Sequence, residues 1–380
     1  MRIAFITLGF APFRASGLDL AGERLVKALL RAGHQVTVIA GRREELDESF
    51  HYPALKVVRI PLDSTDWIGF GYRAARILSV LAPFDVVQFW DIHFSWAFRG
   101  RFVASLQHSF RQRLFSLGSY SINTPLSWMC RYLYYSSSRY FVEIPSMHRA
   151  LGLLAGSATT RDEYINYYDI PPDRIALVPH GVDTEFFQSI QDVRYLRQQL
   201  NLIEGDPVIL YVGFITPRKG LDYLAQALPM IHPTPRVIIA GQWRSEKYRR
   251  QVMKLLEPVR DHVIEVGFVP DEEMPAYYSI CDVYVSSSLM EGFGLPLAEA
   301  LACETPVVAV DAGAVAEVTG PGGILVPARQ IGAFADAVST LLQNASKREE
   351  MGRLGRGHIQ KNFSVDSMLR ATLDAYKRFF

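Results

Sequence analysis

Ser286-Ser287-Ser288-Leu289-Met290-Glu291-Gly292-Phe293-Gly294-Leu295-Pro296-Leu297-Ala298-Glu299-Ala300 reads as the end of a strand, a glycine-bearing loop and the start of a helix. Pro296 stands in the first helical turn, where its missing N–H leaves no bond unmade. Free backbone N–H groups and the helix dipole at such a start favour an anion, so a phosphate-bearing ligand is the natural occupant. Glu291, in the loop, and Glu299, about a turn into the helix, can both face one cleft. Carboxylates there accept hydrogen bonds from vicinal hydroxyls. Local spacing alone leaves a surface loop and a capping glutamate equally open.

The strand before this loop, Val283–Ser286, belongs to a series. Short apolar or β-branched runs alternate with helical patterns along the chain, the signature of parallel sheets built from βαβ units. The first half offers Ile3–Leu8, Val36–Ala40, Lys56–Ile60, Asp85–Phe89, Phe102–Leu106, Tyr140–Val142 and Ile175–Val178. The second offers Val208–Val212, Arg236–Ala240, Val263–Val266, Val283–Ser286 and Pro306–Val310. A helix from Gly17 to Arg31 should end at the glycine cap Gly33. The expected architecture is α/β, with two doubly wound domains facing a central cleft. Residues 1–183 are expected to form the first domain, 184–362 the second, and 363–380 a last helix packing back on the first.

Composition sets the outer limits. The 380 residues allow two or three domains at roughly 150 residues each. Hydrophobic residues at 49% and charged residues at 21% describe a globular chain. A formal charge of +1 lacks the basic excess of a nucleic-acid binder. Three scattered cysteines, Cys130, Cys281 and Cys303, fit apolar packing in a reducing compartment better than a disulfide framework or zinc cluster. The opening Met1-Arg2-Ile3-Ala4-Phe5-Ile6-Thr7-Leu8-Gly9 reads as a first buried strand rather than a signal peptide. The expected location is cytoplasmic, with possible attachment to the cytoplasmic face of a membrane.

A second loop supports a phosphate reading. Tyr211-Val212-Gly213-Phe214-Ile215-Thr216-Pro217-Arg218-Lys219-Gly220 is a strand, a turn carrying two cations, and a helix start. Arg218 offers a bidentate fork and Lys219 a point charge, a pair suited to a diphosphate. A solvated turn is the plain alternative for this segment alone. With both loops in place, the sequence resembles the retaining glycosyltransferases of family four, whose fold is called GT-B, over nearly its whole length. Glu291 to Glu299 matches the family's Glu-x7-Glu element, Pro179-His180-Gly181-Val182-Asp183 its Pro-Asn-Gly-Val-Asp turn, and Gly33-His34-Gln35-Val36 its Gly-His-Glu-Val.

The resemblance implies a nucleotide-sugar substrate, a glycan, lipid-linked or small-molecule acceptor, and no cofactor or metal. It gives Glu299 to the ribose, Glu291 to the transferred sugar, and the amides of Gly292, Phe293, Gly294 and Leu295 to sugar and diphosphate. Lys219 and Arg218 go to the phosphates, with Gly213 and Gly17 in the two glycine loops. His108 goes beside the reacting carbon. No Asp-x-Asp occurs, which disfavours the other large glycosyltransferase fold and its metal. No G-x-G-x-x-G follows the first strand, which disfavours a dinucleotide oxidoreductase. A same-fold epimerase or hydrolase and a non-catalytic sugar binder are the alternatives.

Departures from the family pattern carry expectations of their own. Phe214 stands where an arginine is common. Glu304 replaces glycine, so a left-handed backbone there costs about 1 kcal/mol or more. His180 replaces Asn and is expected to tolerate positive φ in its turn. His93, Arg111 and Arg113 are candidate acceptor contacts. Between Ile92 and Val142 there is no Asp or Glu but six arginines: Arg99, Arg101, Arg111, Arg113, Arg131 and Arg139. Residues 92–142 are therefore expected to face an anionic membrane or a phosphate-bearing acceptor, unless those arginines satisfy carboxylates of the first domain.

Overall fold

Parallel strands cannot be joined by tight turns, so the chain between them is long enough to fold as helix. The computed structural model describes residues 1–11, 17–42, 54–62, 66–81, 83–107, 109–115 and 125–380. It holds two compact units, the first running to Gly181 and including Val365–Phe380, the second running from Val182 to Ser364.

The first unit has β1 (Arg2–Thr7), β2 (Gln35–Arg42), β3 (Leu55–Pro61), β4 (Val86–Phe89), β5 (Val103–Leu106), β6 (Gly152–Ala155) and β7 (Ile175–Leu177). Its sheet is parallel, in the order β3-β2-β1-β4-β5-β6-β7. The helices are α1 (Gly17–Arg31), α2 (Trp67–Val80), α3 (Phe110–Phe115), α4 (Pro125–Ser138), α5 (Ile144–Arg149) and α6 (Ala158–Tyr168). In the second unit the strands are β8 (Val208–Val212), β9 (Arg236–Ala240), β10 (Val263–Gly267), β11 (Val283–Ser286), β12 (Val307–Val310) and β13 (Gly323–Val326). They pair in parallel as β10-β9-β8-β11-β12-β13. Around them lie α7 (Arg194–Gln199), α8 (Leu221–Ala227), α9 (Glu246–Leu256), α10 (Met274–Ile280), α11 (Leu295–Ala302), α12 (Val315–Thr319), α13 (Ile331–Leu342) and α14 (Ala345–Asn362). The last helix, α15 (Val365–Phe379), packs on α1, β6 and β7 of the first unit.

Both sheets start in the middle, wind outward, and return beside the first strand. β1 thus lies between β2 and β4, with Ile3 opposite Val36 and Val86. β8 lies between β9 and β11, with Leu210 opposite Ile238 and Tyr284. Helices cover both faces, so the strands are apolar runs rather than alternating ones. Ile3 to Ile6 are wholly buried, as are Val208, Ile209 and Leu210.

The structure corrects four readings of the sequence. Tyr140–Val142 is not a strand but part of a π-helical turn, Arg139–Glu143, joining α4 to α5. An apolar triplet is too short for periodicity to tell strand from helix. β6 and β13 were missed, because both are four-residue apolar runs led by glycine. His180 does not have positive φ; its ring is buried, packed on Trp90, with Nε2 3.3 Å from Gln107 Oε1. Cys281 and Cys303 pack in the core, but Cys130 is exposed on α4.

Glu304 does adopt the left-handed backbone, at φ 63°. Its neighbour explains why the turn is tight: a Cβ on Gly352 would lie 2.0 Å from the Glu304 carbonyl oxygen. The Glu304 carboxylate lies 3.8 Å from Arg356 and is half exposed, a contact of little worth. Glu304→Gly should therefore raise stability by about 0.5–1 kcal/mol, read as a higher urea midpoint at unchanged slope. A lower midpoint would show that the Arg356 contact outweighs the backbone strain.

Candidate active site

In the second unit the loops after β8 and β11, neighbouring central strands, meet. Leu289 N–H donates to the Arg218 carbonyl at 2.9 Å, and Arg218 Nη1 donates to the Met290 carbonyl at 2.8 Å. Tyr211 O–H and Ser287 O–H reach the Lys219 carbonyl at 3.3 and 3.4 Å. Gly220, at φ 66°, permits the approach, since a Cβ there would lie 2.0 Å from the Ser287 carbonyl oxygen. Gly313, also at φ 66°, leaves room for the Glu291 carbonyl in the same way.

The result is an ion pair between Lys219 Nζ and the Glu291 carboxylate, both largely buried. Burial pushes the Glu291 pKa up, but Lys219, then Arg218 and Ser288, hold it below the usual carboxylate range. Tyr211, Lys219, Tyr284, Ser288, Glu291 and Pro296 line a small hollow there. Gly294, at φ 92°, caps the start of α11. Phe293 turns away into the core, its ring 5.5 Å from that of Phe363. Glu299 is buried within α11 and accepts a hydrogen bond from Tyr278 O–H at 3.1 Å.

Sequence reading missed Arg244. Its guanidinium stacks over the Phe214 ring, 4.0 Å from the centroid, and its backbone N–H donates to the Ile215 carbonyl. A cation thus stands beside the loop where the family pattern puts one at position 214. The signal was Gly241-Gln242-Trp243-Arg244, the loop leaving β9, which is the strand next to β8.

The first unit holds a different polar centre. Asp91 and His93 follow β4, and Glu143 enters from the π-helical turn. His93 Nδ1 lies 2.6 Å from Asp91 Oδ1; Nε2 lies 3.4 Å from Glu143 Oε1, an ion-pair distance outside hydrogen-bond geometry. Glu143 has no solvent exposure and accepts from Tyr164 O–H at 3.1 Å, Tyr168 O–H at 2.8 Å and the Phe110 N–H at 3.2 Å. Burial opposes the imidazolium, but Asp91 and Glu143 outweigh it and raise the His93 pKa to about 9. Burial also pushes Asp91 up, yet His93 holds it below its ordinary value.

The candidate acceptor residues therefore take different places. His93 is sealed beneath the Phe110 ring, centroids 4.2 Å apart, rather than on the surface. Arg111 lies over the Tyr167 ring and 3.9 Å from Glu163; Arg113 lies over Phe110. Gly17 opens α1 and is exposed. Gly213 follows β8 at φ 142°, with open space where a Cβ would sit. His108 lies outside the described residues; of its neighbours, Gln107 donates to the Trp90 carbonyl and Ser109 to Glu163.

Comparison with known proteins gives a consistent picture. Residues 192–358 match the family described as glycosyl transferases group 1, and residues 22–186 match glycosyltransferase family 4. An uncharacterized glycosyltransferase of Methanocaldococcus jannaschii is 25% identical over 99% of this chain and 98% of its own. Sucrose-phosphate synthase of Thermosynechococcus elongatus superimposes with a TM-score of 0.82 at 21% identity, covering 100% and 98% of the two chains. Anabaena HepE in complex with UDP-glucose superimposes with a TM-score of 0.77 at 18% identity, covering 99% of each. These two structures share the fold.

His93 makes stability pH-dependent. A folded-state pKa of about 9 against an ordinary 6.5 means its contribution is complete below pH 6.5 and is lost as pH rises through 9. Urea unfolding should show a loss of roughly 3 kcal/mol across that window. The ring proton of His93 should titrate near pH 9 by NMR, and a midpoint near 6.5 would contradict the buried ion pairs.

Proposed function

The chain belongs to the group 1 glycosyltransferases, and from that premise we propose that it moves a hexose from a UDP- or GDP-sugar to a glycan, lipid-linked or small-molecule acceptor, with retained configuration and without a metal. The observation that carries this reading is the Lys219–Glu291 pair where the β8 and β11 loops meet. An anion-binding cation and a hydroxyl-binding carboxylate stand together, as a sugar joined to a diphosphate requires.

In this reading, positive charge develops on the sugar and negative charge on the departing diphosphate. Lys219, Arg218 and the start of α11 neutralise the leaving group, while Glu291 holds the sugar hydroxyls. Arg244 is placed to add a further cation. The acceptor hydroxyl attacks from the face the diphosphate leaves: its oxygen bonds the anomeric carbon, the bond to phosphate breaks, and its proton passes to the departing oxygen. By resemblance to the family, His108 is assigned to the reacting carbon and Glu299 to the ribose. We place the acceptor on the first unit and the reaction on the cytoplasmic side, with residues 92–142 against an anionic membrane.

Lys219→Ala should lower kcat roughly a hundredfold or more while KM for the nucleotide sugar changes less. A panel of UDP-glucose, UDP-N-acetylglucosamine and GDP-mannose, read by thermal shift, identifies the substrate; binding at 100 times Kd adds about 2.7 kcal/mol. Proton NMR of the first product should show the anomeric configuration retained. Consumption of nucleotide sugar without acceptor would instead favour an epimerase or hydrolase.

A further inference from the structure

Ser109 and Phe110, at the start of α3, are each held by a carboxylate from another part of the chain: Ser109 by Glu163 of α6, Phe110 by Glu143. Ser109 is wholly buried and caps the helix, its hydroxyl accepting the Gln112 N–H at 3.0 Å and its carbonyl the Arg113 N–H at 3.1 Å. A hydroxyl has one proton to give, and an ionised carboxylate only accepts. The Ser109 proton therefore goes to Glu163 Oε1, at 2.7 Å, which leaves the oxygen lone pairs for the helix. Glu163 thus sets the direction of the bonds that cap α3.

The other groups around the Glu163 carboxylate come from the same corner. Gln112 Nε2 donates to Oε2, and Arg111 Nη1 lies 3.9 Å from Oε1. The side chain is only 9% exposed. Burial pushes the Glu163 pKa up; Ser109, Gln112 and Arg111 offset this in part, and Glu143 nearby adds to the rise. Burying the carboxylate costs more than its partners return, so stability does not account for the contact.

The contact does account for the place of the backbone. Ser109 follows His108 directly in the chain. On the other side of His108, Gln107 Nε2 donates to the Trp90 carbonyl at 3.0 Å, and Gln107 Oε1 lies 3.3 Å from His180 Nε2. The chain is therefore tied down on both sides of position 108. A group that must meet a reacting atom loses rate steeply when it is displaced, since about 1 Å can cost roughly a hundredfold.

We infer that Glu163 is a positioning residue: by holding the Ser109 hydroxyl it sets the backbone from which His108 meets the reacting carbon. This rests on the assignment of His108 in the reading above, and adds the residue that holds its neighbour in place.

The test is a double-mutant cycle on the full chain, with kcat read on whichever of UDP-glucose, UDP-N-acetylglucosamine and GDP-mannose it turns over. Glu163→Ala should lower kcat roughly tenfold or more and leave KM for the nucleotide sugar within about twofold. Ser109→Ala, which removes the same bond from its other end, should reproduce that loss. In a His108→Ala background Glu163→Ala should change kcat by less than about twofold, because its effect passes through His108. Glu163→Gln keeps an acceptor for the Ser109 hydroxyl, so it should restore most of kcat and melt no lower than the wild type. Amide hydrogen exchange at Gln112 and Arg113 should quicken roughly tenfold or more in Glu163→Ala, a reading of the clamp that needs no chemistry. Equal losses of kcat from Glu163→Ala in both backgrounds overturn the inference, as does unchanged exchange or an undiminished kcat. Turnover untouched by His108→Ala refutes the His108 assignment and the inference with it. Faster exchange in a chain that turns over no nucleotide sugar refutes the transferase reading, and with it any role in positioning, while the clamp itself stands.

Discussion

The order in which the parallel strands are laid down is the constraint on which the rest depends. Each sheet begins in the middle, winds to one edge, and restarts beside its first strand. The loops after those two central strands then leave toward opposite faces, and a crevice opens at their carboxyl ends. In the second unit this brings residues 218–220 and 287–291 together, and with them Lys219 and Glu291. In the first it places Asp91 and His93 after β4, next to β1. Gly220 and Gly313 then matter for a steric reason: each sits where another loop's carbonyl fills the space of a side chain.

The two polar centres are built on opposite principles. Lys219 and Glu291 keep some access to solvent, so a ligand can compete for each of them. Asp91, His93 and Glu143 are sealed, and burying charges is tolerable only when each finds partners. Here two tyrosine hydroxyls and a backbone N–H meet Glu143, and both carboxylates face the imidazolium. The bond from the Phe110 N–H ties this centre to the start of α3. It fixes the loop after β5 from beneath, so the centre shapes the surface without being on it.

Much of the fold was legible because long amphipathic helices and buried strands announce themselves by period. Helix α1 has the bounds its apolar spacing and Gly33 implied. The strain at Glu304 was legible too, since a left-handed turn is a local property. Tyr140–Val142, β6 and β13 were not, because three or four apolar residues fit either period. His180 failed for another reason: its ring packs on Trp90, and that contact rather than turn propensity fixes its place.

The sequence by itself determined two βαβ-built halves, the loops that carry Lys219 and Glu291, and the family, because those depend on residues close together in the chain. Only the tertiary structure decided which charges are available. Arg111 and Arg139 read as a cationic face in sequence, yet aromatic rings from α6 take them up. His93 read as a candidate acceptor contact, yet it is buried, with Glu143 from a distant turn beside it. Exposure and charge state belong to the surroundings of a side chain, and those surroundings come from segments that only folding brings together.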